Sequence, residues 1–141
     1  MITPPPQLAG WESWQGNDPY EDTAGPFFMK LNAEPGKHRS AFLCTVGHMN
    51  GGGFLHGGML MTFTDRAMGQ TARLTVQATR SATISMTHQF LAPVKIGDVV
   101  EIAPHITKVT ARLVFVTGTA FVGDDPVVSA QGVFRVSHSA P

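Results

Sequence analysis

Apolar side chains follow two different periods along this chain, and the change between them separates its elements. In segments 27–32 and 38–49, β-branched and aromatic residues predict two strands. Residues 55 to about 76 contain no proline and are rich in Met, Leu, Ala, Arg and Gln, which predicts one long helix. Because this run is apolar on nearly every side, we expect the helix to be buried.

After the helix, apolar and polar residues alternate with a period of two. Strands are predicted over 81–90, 99–109, 112–122 and 127–136, with an edge or a bulge at Pro104 and a turn over 123–126. The last three strands follow one another as a meander, which predicts an antiparallel sheet. The predicted class is therefore α+β, with one sheet curled around a single central helix.

Two units are predicted: an N-terminal arm over 1–26 and one domain over 27–141. The arm is rich in Pro and Gly, which predicts an irregular path. It also contains both tryptophans, Trp11 and Trp14, which are too apolar for a free tail. We expect them to dock on the domain or on a neighbouring subunit.

Composition narrows the range of functions. Hydrophobic residues make up 43% of the chain, which is enough to bury a core. Charged residues make up only 14%, which suggests that a partner subunit covers part of the surface. The formal net charge is zero, which argues against nucleic acid or an anionic membrane as a partner. The N-terminus lacks the basic and apolar regions of a signal peptide, and no apolar run reaches the roughly 20 residues of a membrane span. We expect a cytoplasmic protein.

The residues best suited to catalysis cluster in and just before the predicted helix. Three glycines, 51–53, precede His56-Gly57-Gly58, and glycine lets another molecule approach the backbone closely. Free N–H groups at a helix N-terminus are suited to a developing oxyanion. Asp65 is the one acidic residue between Glu34 and Asp98, and a carboxylate in an apolar helix is costly unless it is paired or functional.

The distance between Gly57 and Asp65 favours a site shared by two chains. On one helix, eight residues separate them by about 12 Å, which is too far for both to act on one carbonyl. If two such helices pack antiparallel across a two-fold axis, Gly57 of one faces Asp65 of the other. The predicted contact face also carries small or flexible residues: Gly58, Met61, Gly69 and Ala72. The alternative is that Asp65 forms an ion pair with Arg66, Arg73 or another subunit.

The string Leu55-His56-Gly57-Gly58, with Asp65 eight residues after Gly57, resembles the signature of the hotdog-fold thioesterases. The similarity is closest to the phenylacetic-acid-degradation type, a relative of the hydroxybenzoyl-CoA thioesterases. It extends over essentially the whole chain, through segments 18–28, 81–90 and 91–98. The resemblance implies an acyl-CoA thioesterase that forms a homodimer or homotetramer. Coenzyme A is then part of the substrate, and no cofactor or metal is implied.

The resemblance also implies a role for each motif residue. The Gly57 backbone N–H polarises the thioester carbonyl, and Asp65 of the other subunit acts as general base on water or as nucleophile. His56 positions the thioester, Asn50 lies beside the reacting centre, and the Thr83 hydroxyl helps to hold the attacking water. Each dimer interface would contain two identical sites.

Other interpretations stay open from the sequence alone. Asn50 before three glycines is an ordinary turn residue, and His56 is suited to hydrogen bonding at a helix start. Ser81 and Ser85 are expected on the same strand face as Thr83, so they compete for its role. The histidines show no paired metal-ligand spacing, and there is no nucleophile elbow and no phosphate loop. A non-catalytic acyl-CoA binding or sensing module is the alternative function, although retention of Asp65 argues against it.

Overall fold

The computed structural model describes residues 2–14, 17–32, 34 and 36–139. These residues form a mixed set of short and long elements: β1 (Glu12–Ser13), α1 (Pro19–Ala24), β2 (Phe28–Lys30), β3 (Arg39–Leu43), α2 (Gly57–Thr75), β4 (Arg80–Phe90), β5 (Val99–Ile102), β6 (His105–Val109), β7 (Leu113–Val122) and β8 (Asp125–Ser137). Two 3-10 helices, Pro6–Leu8 and Val46–His48, complete the order.

The strands form one antiparallel sheet in the order β1-β2-β3-β5-β7-β8-β4, and β6 also pairs with β7. Strands β6, β7 and β8 form the meander that the sequence predicts. Helix α2 packs against β4, β7 and β8 on one face of the sheet. The prediction of an antiparallel sheet around one long central helix is confirmed.

Two predicted strands have different limits in the structure. The segment 99–109 forms two strands, β5 and β6, which are separated by Ala103 and Pro104. Proline cannot donate to a sheet ladder, so the break falls there. The strand predicted over 38–49 ends at Leu43, and the 3-10 helix Val46–His48 follows it.

Helix α2 is buried on most sides but leaves one stripe open. Phe63 lies at its centre, fully buried, with its ring centroid 4.8 Å from that of Phe42 and 6.1 Å from that of Phe27. Gly58 and Met61 are exposed, and Asp65 is half-buried. The expectation of a helix buried all round was therefore wrong for this stripe. No helix in the described part of the chain is long and apolar enough to span a membrane.

The small residues Gly69 and Ala72 do not belong to the open stripe. Both are buried within the protomer, and a Cβ added at Gly69 would lie 3.2 Å from the Phe134 ring. The predicted contact face was thus wrong beyond Asp65. Glycine at position 69 serves the packing of α2 on β8.

The N-terminal arm docks on the domain in two places. Leu8 and Trp11 are buried against Phe28 and Ala41 in a small cluster of their own. Strands β1 and β2 pair there, which adds the arm to the edge of the sheet. Helix α1 interrupts the irregular path predicted for the arm and contacts α2 through its side chains. The division at residue 26 stays a prediction, and Met1 and 140–141 lie outside the described residues.

Candidate active site

Asn50 organises the glycine loop before α2. Its side-chain Oδ1 accepts hydrogen bonds from the Gly52 N–H (2.8 Å) and the Phe54 N–H (3.1 Å). Its own N–H donates to the Phe54 carbonyl at 2.7 Å. The structure therefore gives Asn50 the turn role that the sequence left open, while the contribution of Asn50 to a reacting centre stays a prediction.

His56 is the N-cap of α2 and accepts hydrogen bonds from most of the N–H groups in the first turn of that helix. Its Nδ1 accepts from the Gly58 N–H at 2.8 Å, and its carbonyl accepts from the Met59 and Leu60 N–H groups. The first helical amide, that of Gly57, has no acceptor within the described part of the chain. One N–H with the positive end of the helix dipole behind it is therefore free to bind an acceptor.

His48 fixes the entry to this helix. Its carbonyl accepts from the His56 N–H at 2.9 Å. Its Nδ1 accepts from the Thr45 N–H at 3.1 Å, and its Nε2 lies 2.7 Å from the Ala24 carbonyl, to which a proton on Nε2 would donate. No local pattern in the sequence indicated this residue, because its contact with Ala24 joins residues 24 positions apart. His48 connects the end of α1 to the start of α2.

Asp65 and Thr83 contact each other directly. The Thr83 hydroxyl donates to Asp65 Oδ1 at 2.5 Å, so a residue predicted from β4 meets the carboxylate predicted from α2. A β-bulge lies between Thr83 and Ser85, where the register with β8 shifts. Thr83 therefore pairs with the buried Phe134 on the helix side, whereas Ser85 pairs with Val133 on the outer side.

The sequence predicts that Ser81, Thr83 and Ser85 lie on one strand face, and the bulge shows that this prediction is wrong for Ser85. Ser85 does not share the face of Thr83, because the bulge reverses the alternation of side chains. Ser81 does share it, but its hydroxyl donates to the Gly69 carbonyl at 3.1 Å. Thr83 is thus the β4 hydroxyl that reaches Asp65.

Asp65 lines a polar cavity of about 410 Å³ beneath the arm. The ion pair expected as an alternative is formed by its neighbour: Arg66 Nε donates to Glu21 Oε2 at 2.9 Å. Asp65 itself has no salt-bridge partner among the described residues. Burial raises the pKa of Glu21, Arg66 opposes that shift, and Asp65 adds to it, so both carboxylates belong to one electrostatic environment.

Gly57 lines a different, apolar cavity of about 380 Å³, whose walls are Leu55, Leu60, Phe90, Leu91, Ala92, Pro93 and Val94. The two cavities share no lining residue within one protomer. This separation agrees with the rise of roughly 12 Å between Gly57 and Asp65 along α2. Gly57 and Asp65 would therefore act on one substrate only if a second chain brought them together, and that arrangement stays a prediction.

His88 lies between the two cavities on the helix side of β4. The Thr64 hydroxyl donates to the Leu60 carbonyl at 2.9 Å, and it lies 2.7 Å from His88 Nε2. Burial lowers the pKa of His88, and Asp65 opposes that shift. The His88 and Phe90 rings stack with centroids 6.2 Å apart, so β4 presents a continuous row from Thr83 to Phe90 along α2.

Comparison with known proteins defines the class. The sequence profile of the thioesterase superfamily matches residues 52–129, which include the start of α2, Asp65 and Thr83. The chain therefore belongs to the thioesterase superfamily, and the predictions of a hotdog thioesterase fold and of a thioesterase enzyme are confirmed.

Two relatives are provisionally named esterases. One from Pseudomonas aeruginosa is 27% identical over 128 residues, covering 90% of this chain and 95% of its own. One from Caenorhabditis elegans is 35% identical over 85 residues, covering 60% of this chain, and this chain spans 50% of that relative's length.

Solved structures show the same fold. The protein smu.793 from Streptococcus mutans, solved with bound acetyl-CoA, has a TM-score of 0.73 at 22% identity and covers 82% of this chain and 91% of its own. The Escherichia coli PaaI protein of the phenylacetic acid degradation operon has a TM-score of 0.76 at 17% identity and covers 85% of both chains.

Proposed function

We propose that this protein hydrolyses acyl-CoA thioesters at a site completed by two copies of the chain. The observation that carries the proposal is that a Gly57 N–H without an acceptor among the described residues and an Asp65 carboxylate bonded to Thr83 lie beside the same open stripe of α2. The bound acetyl-CoA of the Streptococcus mutans neighbour supports the substrate class. No cofactor is required, because coenzyme A enters as part of the substrate.

The reaction follows from these groups. The thioester oxygen accepts from the Gly57 N–H, which stabilises the negative charge that develops when the carbonyl carbon is attacked. Asp65 takes a proton from the attacking water, or attacks the carbon itself, and Thr83 holds the carboxylate in place. The carbon–sulfur bond then breaks, coenzyme A leaves as the thiolate, and the proton taken from water passes to that thiolate. If Asp65 attacks the carbon itself, water then hydrolyses the acyl–aspartyl anhydride, which releases the acid and restores the carboxylate. His56 keeps the Gly57 amide free by occupying the neighbouring one.

The edge of the sheet supports a dimer. Strand β4 is 11 residues long, ends the sheet and exposes Ile84 (58%) and Phe90 (54%). A long apolar edge strand is a template for pairing with another chain. Antiparallel packing of two α2 helices would place the two-fold axis near Met61, which is midway between Gly57 and Asp65 and is 46% exposed. Assembly beyond the dimer and a cytoplasmic location stay predictions.

The first experiment measures free thiol released from a panel of short, long and aromatic acyl-CoA thioesters. Asp65→Asn is expected to lose most activity, and Asp125→Asn, at the exposed start of β8, is the matched control. Wild-type protein that binds acyl-CoA without releasing thiol would instead support the binding or sensing module.

Mixed dimers test the shared site. When Asp65→Asn chains and Gly57→Pro chains are unfolded and refolded together, each mixed dimer regains one intact site if the site joins two subunits. Random mixing makes about half of the dimers mixed, so we expect roughly a quarter of wild-type activity. If each site used one chain, the mixture would stay inactive, and the two-chain proposal would be wrong.

A further inference from the structure

A buried hydroxyl determines which nitrogen of His88 carries a proton. Thr64 is fully buried on α2, and its hydroxyl donates to the Leu60 carbonyl at 2.9 Å. Because a hydroxyl has one proton to donate, the contact of 2.7 Å between Thr64 Oγ1 and His88 Nε2 requires a proton on Nε2. In the neutral ring Nδ1 is then the unprotonated nitrogen, and it has no hydrogen-bond partner among the described residues.

The imidazole of His88 lies between the two groups that the proposed reaction needs. Its anchor, Thr64, immediately precedes Asp65 in α2. On its other side, the ring stacks on Phe90 with centroids 6.2 Å apart, and Phe90 is the ring that a Cβ at Gly57 would meet at 3.4 Å. One side chain of β4 therefore connects the turn of α2 that carries the carboxylate with the ring beside the Gly57 amide.

Among the described residues, Asp65 is the charged group that acts on His88. The neighbours on the packed elements are uncharged: Thr64 on α2, Phe90 on β4 and Ala130, the pairing partner on β8. Burial lowers the pKa of His88, and Asp65 opposes that shift. The ring is therefore mostly neutral at about pH 7, and the carboxylate favours its charged form as the pH falls.

A proton on Nδ1 would change the chemistry of the carboxylate. It would place a cation near Asp65 and give the ring a second N–H donor, since the Nε2–H stays bonded to Thr64. An opposite charge nearby favours the ionised form of a carboxylate, which makes that carboxylate a weaker base and a weaker nucleophile. The charged ring would also compete with the Thr83 hydroxyl for the carboxylate oxygens, because hydrogen bonds between charged groups are the stronger ones.

We propose, on the basis of the function proposed above, that His88 is a positioning residue of the thioesterase site and serves the reaction only in its neutral form. Its Nε2–H holds the turn of α2 that carries Asp65 against β4. Its unprotonated Nδ1 leaves the carboxylate bonded to Thr83 and fully basic. Uptake of one proton from solvent at Nδ1 weakens the base, so it lowers kcat more than it changes KM.

The test is the pH dependence of kcat and KM for one acyl-CoA. As the pH falls below about 6.5, wild-type kcat is expected to decline with the same midpoint as the His88 titration followed by NMR. His88→Gln keeps a donor for Thr64 but takes up no proton, so its decline should move towards about pH 4, where carboxyl groups titrate. His105→Gln, at an exposed position of β6, is the matched control and should keep the wild-type midpoint.

A purely structural role of His88 would give a different pattern. His88→Gln would then lower kcat by the same factor at every pH and leave the midpoint of the decline unchanged, and that result would overturn the inference. Near-UV circular dichroism at each pH shows that the protein measured is folded, since protonation of His88 also lowers stability. If His88→Gln does not fold, the wild-type protein decides alone: a kinetic midpoint that differs from the NMR midpoint of His88 would equally refute the proposal.

If wild-type protein hydrolyses no thioester, the proposed function fails, and NMR still tests the coupling of His88 to Asp65. Because Asp65 favours the charged imidazole, the His88 midpoint is expected to fall in Asp65→Asn, and above the midpoint the proton should be on Nε2. An unchanged midpoint in Asp65→Asn, or a neutral ring that carries its proton on Nδ1, would refute the coupling.

Discussion

Replacing Gly57 by proline removes one backbone N–H while leaving the start of α2 able to form. Gly57 is the first helical residue, where proline is favoured because its missing N–H has no intrahelical acceptor. The preceding His56 has φ −65° and ψ 133°, an extended conformation that a following proline accepts. The change therefore costs no hydrogen bond of the folded chain.

The expected loss of activity follows from the missing donor. Removal of one oxyanion donor lowers kcat by about 10²–10³-fold, or roughly 2.7–4 kcal/mol. Gly57→Ala is the matched control, because it adds a Cβ at the same place and keeps the N–H. That Cβ would lie 3.4 Å from the Phe90 ring, so Gly57→Ala also shows how much of the loss is steric.

The assay measures kcat and KM for one acyl-CoA in both variants, with thermal unfolding and elution volume as checks of folding and assembly. We expect Gly57→Pro to fall at least about tenfold below Gly57→Ala in kcat, with similar melting temperatures. Equal losses in the two variants would show that crowding at Phe90, and not the N–H, sets the rate, and the oxyanion role of Gly57 would be refuted.

Three further outcomes are expected from single changes. Thr83→Val removes the hydroxyl bonded to Asp65 and should lower kcat about 10- to 100-fold, whereas Thr83→Ser should keep most activity; equal activity of both would contradict the contact. Phe63→Ala opens the fully buried centre of α2 and should cost about 3–5 kcal/mol in urea unfolding, and a cost below about 1 kcal/mol would contradict the packing. Burial lowers the folded-state pKa of His88, so the unfolded chain binds more protons and stability is lost as pH falls below about 6.5 towards the folded value. His88→Gln keeps a donor for Thr64 and should reduce the fall in melting temperature between about pH 7 and pH 5; an unchanged slope would show that His88 does not contribute.

Helix α1, which borders the site, is indicated in the sequence only by short local signals. Asp18 and Pro19 are a typical N-cap and first helical residue for α1. The helix has six residues, which is too few to show a period of 3.6. Its anchoring contact, from Glu21 to Arg66, joins residues 45 positions apart, and no local pattern encodes that pairing.

The sequence could not predict which β4 side chains face α2, and the reason is different. Alternation with a period of two continues on both sides of the bulge, so the sequence looks the same with or without a change of face. The register shift between Thr83 and Ser85 depends on the pairing of β4 with β8, a strand that lies much later in the sequence. Thr83 contacts Asp65, while its role in holding the attacking water stays a prediction. The sequence had no means of separating it from Ser85.

The two glycines of the His56-Gly57-Gly58 motif are required by different partners, a distinction that residue type alone does not make. A Cβ at Gly58 would lie 3.0 Å from His56 Nδ1, the atom that accepts the Gly58 N–H, so glycine at 58 permits the cap. A Cβ at Gly57 would instead meet Phe90 in the apolar cavity, so glycine at 57 keeps open the space in front of the free amide. The cap uses the second amide of the helix and leaves the first without an acceptor among the described residues.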